Sequence, residues 1–127
     1  MRIAVTSNDY QKVSGHAGRA ARYLLFETNS LGEPIEFGRL ELPREMTFHE
    51  FHSNGVHPLD FVRVIITGGA GAGFVGHMSL RGVQVVTTCE QDAFAAAKDF
   101  LAGHLQPAVT STLPIAPMRA RRNDMYY

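Results

Sequence analysis

Thiols are scarce in this chain of 127 residues: Cys89 is the single cysteine. An intramolecular disulfide is therefore excluded, and so is any thiolate cluster built within one chain. An excess of charge of one sign is also lacking. Twelve Lys and Arg balance twelve Asp and Glu, which argues against general attraction to nucleic acid or to an anionic membrane. Long apolar runs are missing. The opening "RIAVTSND" has no signal-peptide h-region, and no run is long enough to span a bilayer. The expectation is a soluble cytoplasmic protein of one domain, and 45% hydrophobic residues suffice for an ordinary core.

Glycine, by contrast, is concentrated. "GGAGAG" at 68–73 puts four glycines in six positions, directly after the apolar run "VRVIIT". So much glycine costs backbone entropy and points to special backbone angles or to the close approach of another group. The spacing Gly71, Gly73, Gly76 is a literal G-x-G-x-x-G, with Glu90 near the position of a ribose-binding acid. Length argues against a dinucleotide fold, because Gly82 follows only six positions after Gly76 and leaves too little helix to cross a sheet. A Walker loop fails because no Lys-Ser/Thr follows the glycines. Two readings stay open: main-chain N–H groups that hold an anion where a helix begins, or glycines that let helix and sheet pack closely.

The wider pattern is that of an α/β domain. Strands are expected at 2–7, 22–29, 33–42, 62–67 and 83–88. The stretch 62–67 is almost continuously apolar and β-branched, as in a parallel strand covered on both faces. Residues 22–42 read as an antiparallel hairpin, with the first strand near the centre of a mixed sheet. Helices are expected over 74–82 and, after a capping box Thr88-x-x-Gln91, over "DAFAAAKDFLAG". Thr47-Phe48-His49-Glu50 has the same spacing and reads as a short helix ending near Gly55, or as a loop. The segment 107–127, with prolines and a basic cluster, reads as an extended or disordered tail after a domain of residues 1–106.

Histidine offers the clearest candidates for chemistry. His49, His52 and His57 fall within nine residues, and neutral imidazole is a common metal ligand. They form either a metal-ligating patch or a solvated loop. His16 stands in "SGHAGR", where a tight turn presents a side chain. Cys89 follows a strand and precedes a helix, where a thiol ionises more readily and binds soft metals. Ser7-Asn8-Asp9, Gly68–Gly73 and Thr88-Cys89-Glu90 all follow strands and should share one edge of the sheet, which is where open α/β sheets bind ligands.

These residues resemble a known family. "MRIAVTSND…VSGHAGRAARYLLFE", "VIITGGAGAGFVGHMSLRGVQVV" and "AFAAAKDFLAGHL" are similar, in order and spacing over about 1–106, to the dinitrogenase iron–molybdenum cofactor biosynthesis family of the NifX and NifB C-terminal type. The resemblance implies a ribonuclease H-like motif fold, α/β, with a mixed five-stranded sheet in the order 3-2-1-4-5 flanked by helices. It implies a small non-catalytic protein that binds, carries or stores an iron–sulfur, molybdenum–iron–sulfur or related metal–sulfur cluster. A cluster donor or acceptor protein would be its partner, with no nucleic acid or membrane, and it would be a monomer or homodimer. The family's S-G-H-F-G-R loop corresponds to Ser14–Arg19, where Ala17 replaces phenylalanine and removes an aromatic surface beside the site. The expected cluster site comprises His16, Arg19, Gly68, Gly69, Gly71, Gly73 and Cys89, with His49, His52 and His57 as possible metal ligands. The rival expectations are a phosphate- or nucleotide-binding sensor or enzyme that uses Gly68–Gly73, and a structural adaptor.

Overall fold

A computed structural model describes residues 1–53 and 55–107. Apart from Pro107, the tail expected at 107–127 lies outside the described residues. Five strands form one sheet: β1 (Arg2–Thr6), β2 (Arg22–Thr28), β3 (Pro34–Glu41), β4 (Val64–Thr67) and β5 (Gln84–Thr87). Their order is β3-β2-β1-β4-β5. β1 pairs antiparallel with β2 and parallel with β4; β2 and β3 are antiparallel, and β4 and β5 parallel. This is the order and mixture expected from the sequence. Two helices flank the sheet, α1 (Ala72–Leu80) and α2 (Ala93–Ala102).

Alternation along the central strands builds two cores. Ala4, Tyr23, Leu25 and Ile65 face one side, where they meet Phe74 and Met78 of α1 together with Leu42, Phe48 and Leu59. Ile3, Val5, Leu24, Phe26, Val64 and Ile66 face the other side and meet Ala93, Ala96 and Ala97 of α2. Both faces of β4 are therefore covered, which is why its four residues are all buried and why period-two patterning is absent there. Small alanines on α2 bring that helix close to the sheet. β3 forms an edge and is mostly exposed, and its ladder with β2 shifts register between Leu25 and Phe26.

Local chemistry departs from expectation at two places and, at Thr47, decides between a helix and a loop in favour of the loop. α2 is capped by Asp92, whose Oδ2 accepts from the Ala95 N–H at 2.7 Å. Thr88 is instead turned to its own loop: its hydroxyl accepts from the Glu90 N–H at 3.0 Å and donates to the Gln106 carbonyl. The box Thr88-x-x-Gln91 is thus not the cap, because a carboxylate directly before the helix takes that role. No helix grows from Thr47. A 3-10 turn covers Arg44–Met46, and the Phe51 N–H reaches the Thr47 carbonyl at 2.8 Å in a single turn. Phe48 and Phe51 are both buried and pin that turn against the core. Finally, α1 starts at Ala72, so that Gly73 lies in its first turn.

Candidate functional site

The carboxyl ends of β1, β4 and β5 lie side by side and carry the loops singled out above. Their hydroxyls knit them together. The Thr6 hydroxyl donates to the Ser14 carbonyl at 2.6 Å and also lies 2.9 Å from Thr67 Oγ1, which contacts the Ser14 and Gly69 carbonyls at 3.2 Å. The main chain adds further ties: Ser14 N–H to the Thr6 carbonyl at 2.8 Å, Gly68 N–H to the Ser14 carbonyl at 2.9 Å, and Val13 N–H to the Gln91 carbonyl at 2.7 Å. The loop after β1 therefore runs across the strand ends to the loop after β5. Thr88 N–H bonds the Thr67 carbonyl at 2.9 Å, which joins the end of β5, just before Cys89, to the residue before the glycine loop.

What approaches the first glycines is the protein's own backbone. A Cβ at Gly68 would stand 3.3 Å from the Ser14 carbonyl oxygen and 3.6 Å from the Gly15 Cα. At Gly69 the nearest atom would be the His16 nitrogen, at an ordinary 3.9 Å. The Gly69 carbonyl accepts from the Ala17 N–H at 3.0 Å. Gly68 thus serves close packing against Ser14 and Gly15, whereas Gly69 has room for a side-chain carbon. Gly71 caps α1 without a side-chain hydrogen bond. The first N–H groups of that helix, Gly73 among them, have no partner within the helix by its geometry.

His16 is held in the left-handed region, at φ 54 and ψ 57. A non-glycine residue there carries strain of order 1 kcal/mol or more, a cost that histidine tolerates better than most. The surrounding bonds enforce it: Ala17 N–H on Gly69 and Arg19 N–H on the His16 carbonyl at 2.9 Å. The side chain is exposed, as is Cys89. Ser14 Oγ is buried and has no hydrogen-bond partner among the described residues. Ala17 is fully buried in the α1-side core. A side chain at 17 therefore points inward, and the exchange of Phe for Ala alters core packing rather than removing a surface beside the site.

The three clustered histidines are not brought together. No group of three or more His, Cys, Asp or Glu able to hold a metal occurs among the described residues. His57 is 1% exposed, stacked on Phe48 at 4.1 Å between ring centroids and edge-on to Phe51. Its Nδ1 accepts from the Leu59 N–H at 3.0 Å and its Nε2 lies 2.6 Å from the Met46 carbonyl. The ring is therefore neutral with the proton on Nε2, and both nitrogens are used. Burial pushes its pKa down, against the Met46 bond, which acts to raise it. His57 is a core residue, a correction to the patch reading. His49 is half-buried with Nε2 3.7 Å from Glu50, and His52 is exposed. Next to His57, Asp60 is gripped by Arg81 through Nε at 2.9 Å and Nη2 at 2.8 Å. This structural ion pair was not foreseen. Burial acts to raise the Asp60 pKa, but the His57 N–H and Arg81 outweigh it and hold it low.

Arg19 ends the 3-10 turn Ala17–Arg19 and lines a surface depression with Arg44, Thr47, His49 and Glu50. No helix among the described residues is long and apolar enough to cross a membrane.

Comparison with solved structures gives the same fold. The crystal structure of PH0822 superposes with a TM-score of 0.65 at 22% identity, covering 84% of this chain and 94% of that one. The NMR structure of a putative NifB protein from Thermotoga, TM1290, superposes with a TM-score of 0.53 at 21% identity, covering 89% and 97%. No curated protein matches the chain. Residues 1–103 match the family described as dinitrogenase iron-molybdenum cofactor, and the chain belongs to that family.

Proposed function

We propose that this protein is a non-catalytic cytoplasmic carrier of a metal–sulfur cluster, of iron–sulfur or molybdenum–iron–sulfur type, built on a ribonuclease H-like motif. The observation that carries the reading is His16. Main-chain bonds from two loops hold it in a strained conformation with its ring exposed at the edge where the strands end. Strain that the surroundings enforce at one exposed residue is a mark of function.

The donor set suits a cargo rather than a resident cluster. One imidazole and one thiol, His16 and Cys89, are soft or borderline ligands from adjoining loops. Unlike the four thiolates of a permanently housed cluster, they leave most metal positions open. Binding would be weak enough to hand the cluster to an acceptor protein or to take it from a donor, as a monomer or as a homodimer whose subunits share ligands. The cluster is anionic, and the N–H end of α1, which Gly73 shares, supplies partial positive charge beside it. No role for nucleic acid or membrane enters this reading.

Anaerobic purification followed by metal and sulfide analysis and a visible spectrum tests it. Charge-transfer bands with stoichiometric iron or molybdenum are expected. A copurified nucleotide, with no metal and no reconstitution, would favour instead a sensor that uses Gly68–Gly73.

A further inference from the structure

Arginines in this fold usually meet a carboxylate. Arg2 faces Glu27, Arg22 faces Glu41, Arg39 faces Glu36 and Arg81 faces Asp60. Arg19, Arg44 and Arg63 do not: among the described residues none of these three guanidiniums has an ion pair or a hydrogen bond. Of these, Arg19 and Arg44 share one depression of about 400 Å³, lined also by Leu42, Thr47, His49 and Glu50. That volume lies within the range of small-ligand pockets.

The backbone that carries the two arginines is fastened. Arg19 closes the turn Ala17–Arg19 and Arg44 opens the turn Arg44–Met46. Leu42 N–H bonds the Ala21 carbonyl at 2.7 Å, joining the two segments, and His49 N–H bonds the Gly18 carbonyl at 2.6 Å. Thr47 Oγ1 donates to the Arg44 carbonyl at 2.8 Å, which stiffens the second turn. Little backbone order remains to be gained when a ligand arrives, which favours binding. Electrostatics select the ligand. The lining carries two unpaired guanidiniums and one carboxylate, Glu50, which His49 Nε2 approaches at 3.7 Å. A cation is repelled and an uncharged acceptor gains only single, weaker hydrogen bonds, whereas a planar carboxylate or a phosphate matches the guanidinium fork with paired hydrogen bonds.

We infer that this depression is a binding site for a compact oxyanion of at least two negative charges, gripped by Arg19 and Arg44 with the His49 ring as a further donor. Inorganic phosphate and a small polycarboxylate share this chemistry. The inference rests on neither His16 nor Cys89 and stands apart from cluster binding. It takes Arg19 and His49 out of the cluster and metal sites suggested by the sequence and gives them a shared role.

The test is calorimetric titration of the metal-free protein, with inorganic phosphate in one arm and citrate in the other. Saturable one-to-one binding is expected in at least one arm, and the tighter arm identifies the source. Arg44→Gln and Arg19→Gln should each weaken it by roughly ten- to a hundredfold, as expected for loss of a charge-assisted pair. Glu50→Gln should tighten it, and the exposed control Arg63→Gln should leave it unchanged. Equal melting temperatures of the arginine variants would show that folding is intact. Absence of saturation in both arms, or equal affinities for Arg44→Gln and Arg63→Gln, would overturn the inference. Since no metal or sulfide is present, that failure would leave the cluster reading untouched, and failure of cluster reconstitution would leave this one untouched.

Discussion

His16 and His57 show how differently one residue type is used in a single small fold. His57 is enclosed by Phe48 and Phe51 and spends both ring nitrogens on the main chain. His16 is exposed on a backbone that an unrestrained chain would avoid. The first stabilises the fold, and the second costs stability that the surrounding loops supply. Proximity in sequence pointed the other way, since His57 has two histidine neighbours and His16 has none. Burial and backbone angle, rather than clustering, separate a structural histidine from a candidate ligand.

The contrast can be broken hardest at His57. Replacing it by Ala should cost about 3 kcal/mol, through the cavity beside Phe48 and the unpaired Met46 carbonyl and Leu59 N–H. Cluster uptake per folded molecule should not change. Chemical denaturation and reconstitution of the same sample would check both.

Next comes the packing that holds His16 in place. Gly68→Ala should destabilise by about 2 kcal/mol, because the added methyl meets the rigid Ser14 carbonyl at 3.3 Å. Gly69→Ala meets only an ordinary contact at 3.9 Å and should fall within about 0.5 kcal/mol of wild type. Similar losses for the two would remove close packing as the reason for Gly68.

The pH dependence sharpens the comparison at His57. Its folded pKa is depressed, so the unfolded chain takes up a proton that the folded one refuses. Stability is then full above the unfolded histidine value of about 6.5 and falls as pH drops below it, by at most about 1.4 kcal/mol per pH unit from this group. His57→Gln should flatten that slope just below pH 6.5, and urea unfolding at several pH values would measure it. The depressed pKa of Asp60 adds a separate loss at more acidic pH, below about 4.

The smallest effect concerns strain. His16→Gly should raise stability by about 1 kcal/mol, since glycine accepts a positive φ freely, while binding declines. A calorimetric melting temperature below that of wild type would mean that the His16 ring itself stabilises the loop.

Much of the fold was legible because the sheet is patterned by burial. The β-branched run 62–67 announced a covered parallel strand, and Gly103 in the left-handed region stops α2 as its position implied. The shared edge of the loops followed from strand direction alone. The site was legible only in part. His16 and Gly68 stood out, but the packing of Gly68 on Ser14 and Gly15 depends on a contact across more than fifty residues. The pairing of Asp60 with Arg81 and the separation of His49, His52 and His57 depend on how residues 43–63 wrap around Phe48 and Phe51. No periodicity encodes that path.

The most direct test of the central claim is anaerobic reconstitution with iron and sulfide, followed by the visible charge-transfer band in wild type, His16→Gly, Cys89→Ser and the double variant His49→Ala/His52→Ala. The account predicts that the band is strong in wild type and in the double variant, weakened in the two single variants, with all four proteins folded by circular dichroism. A band that persists in His16→Gly and Cys89→Ser but vanishes in the His49→Ala/His52→Ala protein would contradict it.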